Sequence, residues 1–155
     1  MALPEDAHKK SIILLFAEDL DGNSNNLALA LDSWAFTGWS SKDMKDAESK
    51  IQPYVWVVGH GQVGKAAYLK LDGSTQRTVD WLMNWAISQP TVSHIIDTCC
   101  YPGTRRQRAI QWTGYKGEYI TRRYDAPQPG FGLNPTLDAM TQLKAWYNLH
   151  EYGLW

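Results

Sequence analysis

The sequence is poor in cysteine and has almost no net charge for its 155 residues. Its only two cysteines, Cys99 and Cys100, are adjacent, and neighbouring cysteines rarely pair because the short ring strains the disulfide. Without a disulfide framework we expect a reducing, cytoplasmic compartment, with delivery into the cytosol of a host as the alternative. The adjacent cysteines and scattered histidines also lack the spacing of metal ligands, so we expect neither a metal nor a cofactor.

Charge and hydrophobic runs exclude further classes of protein. The formal net charge is −1 with acids and bases interspersed, which argues against a nucleic-acid binder or a binder of acidic membranes. The apolar run at residues 11–17 is too short to span a membrane and lacks the cleavage site of a signal peptide, so a buried strand explains it better. With 44% hydrophobic and 20% charged residues, the composition predicts one globular domain over residues 1–155.

Apolar runs alternate with segments of helical periodicity along the chain. The runs predict four strands, at residues 11–17, 54–58, 92–98 and 118–124. Helical spacing predicts three helices, at about 25–37, from a cap at 74 or 75 to 89, and at 135–150. The other segments predict a loop or short helix at 40–52, a hairpin arm at 66–71, and loops at 101–117 and 126–132. Together these elements predict a single-domain, three-layer αβα sandwich with a mostly parallel sheet.

Two of the predicted strands end at residues that can carry chemistry. The second strand leads into Gly59, His60 and Gly61, and the third ends at Cys99. Catalytic groups gather at the carboxyl ends of parallel strands, so we expect His60 and Cys99 to lie at one edge of the sheet. A thiolate is a strong nucleophile that needs a partner to take its proton, and histidine titrates near neutral pH. The glycines allow a substrate to approach and leave a backbone N–H beside His60 for an oxyanion.

The same residues resemble a known family of peptidases. The run from Val57 to Gln62 (Val-Val-Gly-His-Gly-Gln) resembles the strand and Gly-His-Gly of the caspase-like clan, particularly the metacaspases. The run from His94 to Cys99 (His-Ile-Ile-Asp-Thr-Cys) resembles the signature around their nucleophile, and is equally similar to the transamidase that attaches lipid anchors, a legumain relative. The resemblance implies a caspase-like fold and a cysteine endopeptidase that cleaves protein or peptide substrates. In that endopeptidase Cys99 is the nucleophile and His60 the acid–base partner.

The resemblance also implies roles in substrate binding. It places the oxyanion hole at the backbone amides of Gly61 and Cys99, and it makes Asp97 the carboxylate of a pocket for an Arg or Lys side chain. A carboxylate is also what physical chemistry selects for a cation. The alternative role of Asp97 is to accept hydrogen bonds from nearby backbone N–H groups. Two further acids, Asp19 and Asp21, follow the first predicted strand and can reach the same rim.

Other interpretations remain open at this point. Cys100 adjoins the predicted nucleophile, and strand alternation predicts that only one of the two thiols faces the cleft. The run at 59–64 also fits the G-x-G-x-x-G dinucleotide fingerprint, with Asp80 about twenty residues further on, which makes a Rossmann-type nucleotide-binding regulatory domain an alternative. The missing βαβ context argues against it. A non-catalytic interaction or effector module on the caspase-like fold is the third possibility, since only four strands are predicted where the clan has six.

Overall fold

The computed structural model describes residues 3–38, 41–61, 69–70, 76–112 and 114–153. In chain order its strands and α-helices are β1 (Ser11–Leu15), α1 (Asp21–Leu31), β2 (Trp34–Thr37), α2 (Ser41–Ser49), β3 (Tyr54–Val58), β4 (Leu69–Lys70), β5 (Gln76–Arg77), α3 (Val79–Ile87), β6 (His94–Asp97), α4 (Gly103–Ile110), β7 (Glu118–Arg122), α5 (Ala139–Leu149) and β8 (Tyr152–Gly153). Short 3-10 helices at Ala7–Lys9 and Glu18–Leu20 flank β1. Within these ranges no helix is both long and apolar enough to cross a membrane.

Six strands form one central sheet in the order β2-β1-β3-β6-β7-β8. The first five are parallel to their neighbours, and β8 is antiparallel to β7. A separate two-stranded antiparallel ribbon joins β4 and β5. Parallel neighbours require crossover connections, and the helices supply them. As a result, the carboxyl ends of β1, β3 and β6 lie next to one another at one edge of the sheet.

Helices cover both faces of the sheet because the central strands are apolar on both sides. The first face packs against α2, α3 and α4, with strand residues that include Ile12, Val55, Val57 and Ile95. The opposite face packs against α1 and α5, with strand residues that include Ile13, Trp56, Ile96 and Ile120. Successive side chains of one strand therefore enter two different halves of the core. The predicted three-layer αβα fold with a mostly parallel sheet is confirmed.

The predicted helix at 25–37 is wrong at both ends. Helix α1 begins at Asp21 and ends before Asp32, which has a φ of 47° in the left-handed region. The residues after this turn form the edge strand β2, and the side chain of Trp34 is 65% exposed there. Trp34 and Ala35 thus fit the helical spacing only by chance. They are apolar although they belong to an edge strand, and their side chains are exposed rather than packed on the core.

The predicted loop at 101–117 is also wrong, because it contains α4. The inner face of this helix carries Arg105, Arg106 and Ala109 rather than an apolar stripe. Sequence periodicity is read from apolar residues, so a helix that buries a charged side chain gives no such signal. The buried charge of Arg105 is tolerated because the Asp97 carboxylate of β6 pairs with it.

Most other elements agree with the sequence to within a few residues. The four predicted strands and the last helix are present, and β2 and β8 complete the sheet of six. The second predicted helix starts at Val79, where the Thr78 side chain accepts from the N–H of Trp81, rather than at residue 74 or 75. Those two positions, and most of the predicted hairpin arm at 66–71, lie outside the described residues.

The central strand β6 allows a test of this packing. Ile96 is fully buried, so replacing it with alanine should lower the free energy of unfolding by about 2–5 kcal/mol through lost apolar contact and a new cavity. The matched control is Ile110→Ala on α4, whose side chain is 58% exposed and whose loss should change little. Urea denaturation measures both variants. Equal destabilisation of the two would contradict the assignment of Ile96 to the core.

Candidate active site

His60 shares a cavity with Cys100 rather than with Cys99. Strands β3 and β6 pair with a constant offset of 40 residues, so that Val57 lies opposite Asp97. Continued past the ends of the two strands, the same offset matches His60 with Cys100. Both residues line one cavity of about 170 Å³ at this edge of the sheet. The walls of the cavity come from the start of α1, the ends of β3 and β6, residues 128–129 and α5.

The predicted nucleophile, Cys99, lies on the other side of the sheet. Its side chain is fully buried in the core beneath α3 and α4. Burial, reinforced by the nearby Asp97 carboxylate, raises the pKa of the Cys99 thiol well above its usual value. Cys100 is half-buried, and its Sγ accepts a hydrogen bond from the backbone N–H of Gln128 at 3.3 Å. Only one thiol faces the cavity, as strand alternation predicts, and it is the second of the pair.

The Asp97 carboxylate is buried and fully engaged within the protein. Arg105 donates to it from Nε at 2.7 Å and from Nη2 at 3.2 Å. The hydroxyl of Tyr119 donates at 2.5 Å, and the backbone N–H of Cys99 donates at 2.8 Å. The sequence offered Asp97 as the floor of a pocket for a cationic substrate, or as an acceptor for backbone N–H groups. In the structure it accepts from a backbone N–H, and its cationic partner is the protein's own Arg105.

Arg105 uses its remaining donors to hold the turn that follows β6. Its Nη1 donates to the carbonyl oxygens of Cys100 at 2.8 Å and Tyr101 at 3.1 Å. Its Nη2 also donates to the carbonyl oxygen of Cys99 at 2.9 Å. Burial alone would lower the pKa of Arg105, but the adjacent Asp97 charge outweighs burial and raises it. The guanidinium therefore stays charged and binds three successive carbonyl groups, which sets the backbone path around Cys100.

Gly61 allows the loop after β3 to lie against this turn. A Cβ atom at position 61 would overlap the carbonyl oxygen of Cys100 and the guanidinium of Arg105. Only glycine permits so close an approach of the two backbones. The Gly-His-Gly motif thus has a packing role, because it brings the residues next to His60 into contact with the turn that carries Cys100.

His60 is paired with Asp19, which follows β1 at the same edge of the sheet. The Nε2 atom of His60 lies 2.8 Å from each carboxylate oxygen of Asp19, and both side chains are partly exposed. Asp19 had been predicted to contact substrate, and the structure places it on the histidine. Asp21, the other acid predicted at this rim, is exposed at the first position of α1. The position of Asp19 after the first strand was the only sequence signal for this pairing.

The geometry also bears on the predicted dinucleotide fingerprint. Its last three residues, 62–64, lie outside the described part of the chain. Asp80, the acid of that pattern, lies in the first turn of α3 and pairs with Arg108 rather than standing at a strand end. In the described ranges no group of three or more His, Cys, Asp or Glu residues is arranged to hold a metal ion.

The fold is similar to that of a solved peptidase. A secreted C11 cysteine protease from Bacteroides thetaiotaomicron, crystallised with an irreversible peptide inhibitor, superposes with a TM-score of 0.50 over 90% of this chain, at 12% sequence identity. The chain has a caspase-like fold. It covers only 57% of the length of that protease. No protein-family model matches the sequence, and no curated protein is significantly similar to it.

The burial of the two thiols predicts their reactivity. In the folded protein, iodoacetamide should alkylate Cys100 and leave Cys99 unmodified, because only Cys100 lies at the cavity and burial raises the pKa of Cys99. Tandem mass spectrometry locates the label, and both thiols should react in concentrated guanidinium chloride. The Cys100→Ala variant should take up no label when folded. Labelling of that variant at the wild-type rate would show that Cys99 is accessible.

The buried ion pair predicts a large loss of stability when it is broken. Replacing Arg105 with glutamine should lower the free energy of unfolding by about 3–5 kcal/mol, because it leaves the Asp97 carboxylate buried without a counter-charge. Arg108→Gln on the same helix is the matched control, since its partner Asp80 is on the surface and exposed pairs contribute little. Urea denaturation compares the two variants. Equal stability of both would refute a structural role for the buried pair.

Proposed function

We propose that this protein is a cysteine endopeptidase whose catalytic pair is Cys100 and His60, acting on protein or peptide substrates. The observation that carries the proposal is the placement of this thiol and this imidazole on one cavity, at the carboxyl ends of adjacent parallel strands in a caspase-like fold. Ligands and catalytic groups gather at this edge in parallel sheets. The solved structure with a similar fold is a cysteine protease bound to a peptide inhibitor, which supports the same class of substrate.

The proposed reaction begins with transfer of the Cys100 thiol proton to His60. The thiolate attacks the carbonyl carbon of the scissile bond and forms a tetrahedral intermediate. Collapse of this intermediate breaks the C–N bond, and the His60 imidazolium gives its proton to the leaving amine. Water activated by His60 then hydrolyses the thioester, which releases the acid product and returns the thiol to Cys100.

The pairing with Asp19 determines which nitrogen of His60 takes part. Because Nε2 is the atom within 2.8 Å of the carboxylate, the Nε2–H tautomer is favoured and Nδ1 is left to accept the thiol proton. We therefore assign Asp19 to the orientation of His60 rather than to the direct binding of substrate.

The proposed oxyanion hole consists of the backbone N–H groups of Cys100 and Gly61. The amide of Cys99, which the sequence had suggested, donates to Asp97 instead. The backbone at Gly61 lies against the Cys100 carbonyl, so the two proposed donors belong to segments that are in contact. Backbone donors held in advance of the reaction are the usual means of stabilising a tetrahedral oxyanion.

Substrate has room to extend beyond the cavity at Cys100. A second cavity of about 460 Å³ lies beside it and shares Leu20 and Asn23 with it. Its far side is formed by the glycine-containing segment at 130–132. We further propose that the protein acts in a reducing, cytoplasmic compartment, where a thiol nucleophile stays active.

Substitution of the catalytic pair tests the proposal. Cys100→Ala should abolish cleavage of a mixed library of peptides, and His60→Ala should lower turnover by about 10²–10⁴-fold, as expected for a general acid–base group. Cys99→Ala is the matched control and should keep its activity, because that thiol lies in the core. Mass spectrometry of the products measures turnover, and circular dichroism confirms that each variant is folded.

Two results would contradict the assignment in different ways. Loss of activity in Cys99→Ala, with activity retained in Cys100→Ala, would restore the motif-based assignment of the nucleophile. Equal turnover in the wild type and in both Cys100→Ala and His60→Ala would remove the catalytic pair. Absence of cleavage by the wild-type protein would instead favour a non-catalytic module.

A further inference from the structure

We propose that the cavity at Cys100 accepts an uncharged side chain from the residue that donates the scissile carbonyl, and rejects Arg and Lys. The inference rests on the proposed function and names the substrate class of the same site. It differs from the prediction that Asp97 would bind a basic side chain of the substrate. The two expectations differ because Asp97 lies on one side of β6 and the cavity lies on the other.

The walls of the cavity are apolar or carry neutral polar groups. Five of the side chains that line it are apolar: Leu20, Leu27, Val58, Pro129 and Trp146. The polar side chains that accompany Cys100 and His60 are Asn23, Thr98 and Gln128, none of which carries a charge. Among the described residues that line this cavity there is no carboxylate. A volume of about 170 Å³ suits one side chain of moderate size.

The nearby carboxylates do not supply a counter-charge inside the cavity: Asp21 is exposed at the start of α1 and does not line it, and the other two are paired within the protein. Asp97 is on the opposite side of β6, where Arg105 and Tyr119 occupy both of its oxygens. The residue of this segment that turns toward the cavity is Thr98, and its hydroxyl donates to the carbonyl oxygen of Val57 at 2.6 Å. Asp19 at the rim is paired with His60. A cationic side chain would therefore enter the cavity without a free counter-charge.

The free energy of transfer from water into this cavity differs between charged and uncharged substrate side chains. Moving an ammonium or guanidinium group from water into a cavity with apolar walls is costly unless an opposite charge meets it. An aliphatic side chain gains from the same transfer, and a carboxamide side chain can bond to the neutral groups of Asn23 and Gln128. The cavity thus favours uncharged residues of either kind over Arg and Lys.

A peptide library varied at the residue before the scissile bond tests the inference on the wild-type protein. We expect kcat/KM for Leu, Met, Asn and Gln to exceed that for Arg and Lys by roughly 100-fold, the scale on which binding pockets discriminate. Liquid chromatography with mass spectrometry measures each rate. Preference for Arg or Lys, or for Asp or Glu, would overturn the inference while leaving Cys100 and His60 in place.

Introducing one carboxylate provides a second test. Asn23 lines the cavity from the first turns of α1, where an acid is well tolerated because it lies near the positive end of the helix. In Asn23→Asp, the ratio of kcat/KM for Arg to that for Leu should rise by about tenfold or more, because the new charge meets the cation. Asn25→Asp is the matched control, since Asn25 is exposed on the same helix and does not line the cavity. An unchanged ratio in Asn23→Asp would count against the inference.

Covalent labelling separates failure of this inference from failure of the proposed function. Peptidyl acyloxymethyl ketones that differ only in the same side chain should label Cys100, with Leu and Asn faster than Arg. If all of them label Cys100 but the Arg compound is fastest, the inferred preference for uncharged side chains is wrong, and the assignment of Cys100 as nucleophile is kept. If none labels Cys100 and no peptide is cleaved, the proposed function falls, and the inference falls with it.

Discussion

The buried ion pair between Asp97 and Arg105 is the interaction on which this edge of the molecule depends. It joins the end of β6 to α4, and through the same guanidinium it binds the carbonyl oxygens of three successive residues from Cys99 to Tyr101. A charge removed from water needs both a counter-charge and a complete set of hydrogen bonds. Here Asp97 receives both from Arg105, Tyr119 and the Cys99 amide. The turn after β6 is consequently held in one conformation.

That conformation determines the chemical fate of each cysteine. The backbone N–H of Cys99 donates to Asp97. The Cys99 thiol lies in the core, where burial raises its pKa and keeps the thiol protonated. The next residue must then face the opposite side, and the sheet register brings His60 to the same place. The glycine after His60 completes the arrangement, because any side chain there would collide with the turn. The two identical side chains thus differ in the face of the sheet that they occupy, because Cys99 lies in the core and Cys100 lines the cavity.

Sequence patterns predicted the layers of the fold well, and failed where a helix buries charged side chains or a strand exposes apolar ones. Continuous apolar strands predicted a parallel sheet between helices, and the expected proximity of the strand ends before His60 and Cys99 agrees with the pairing of β3 and β6. Helix α4 escaped detection because Arg105 occupies the position where an apolar residue would have signalled an inner face. The edge strand β2 was assigned to a helix because Trp34 is exposed and its spacing from the helical residues is accidental.

The sequence by itself determined the fold class and the residue types at the carboxyl ends of β3 and β6, because apolar periodicity and strand-end motifs are local properties. Only the tertiary structure decided which of the two adjacent thiols shares a cavity with the histidine. That choice depends on the offset of 40 residues between β3 and β6, which is a property of strand pairing rather than of either strand. The ionic partner of Asp97 was likewise decided by tertiary structure, which places α4 beside the end of β6. A carboxylate beside a cysteine motif suggests a site for a substrate cation, but in the fold this carboxylate pairs with Arg105 of α4, the helix that follows β6.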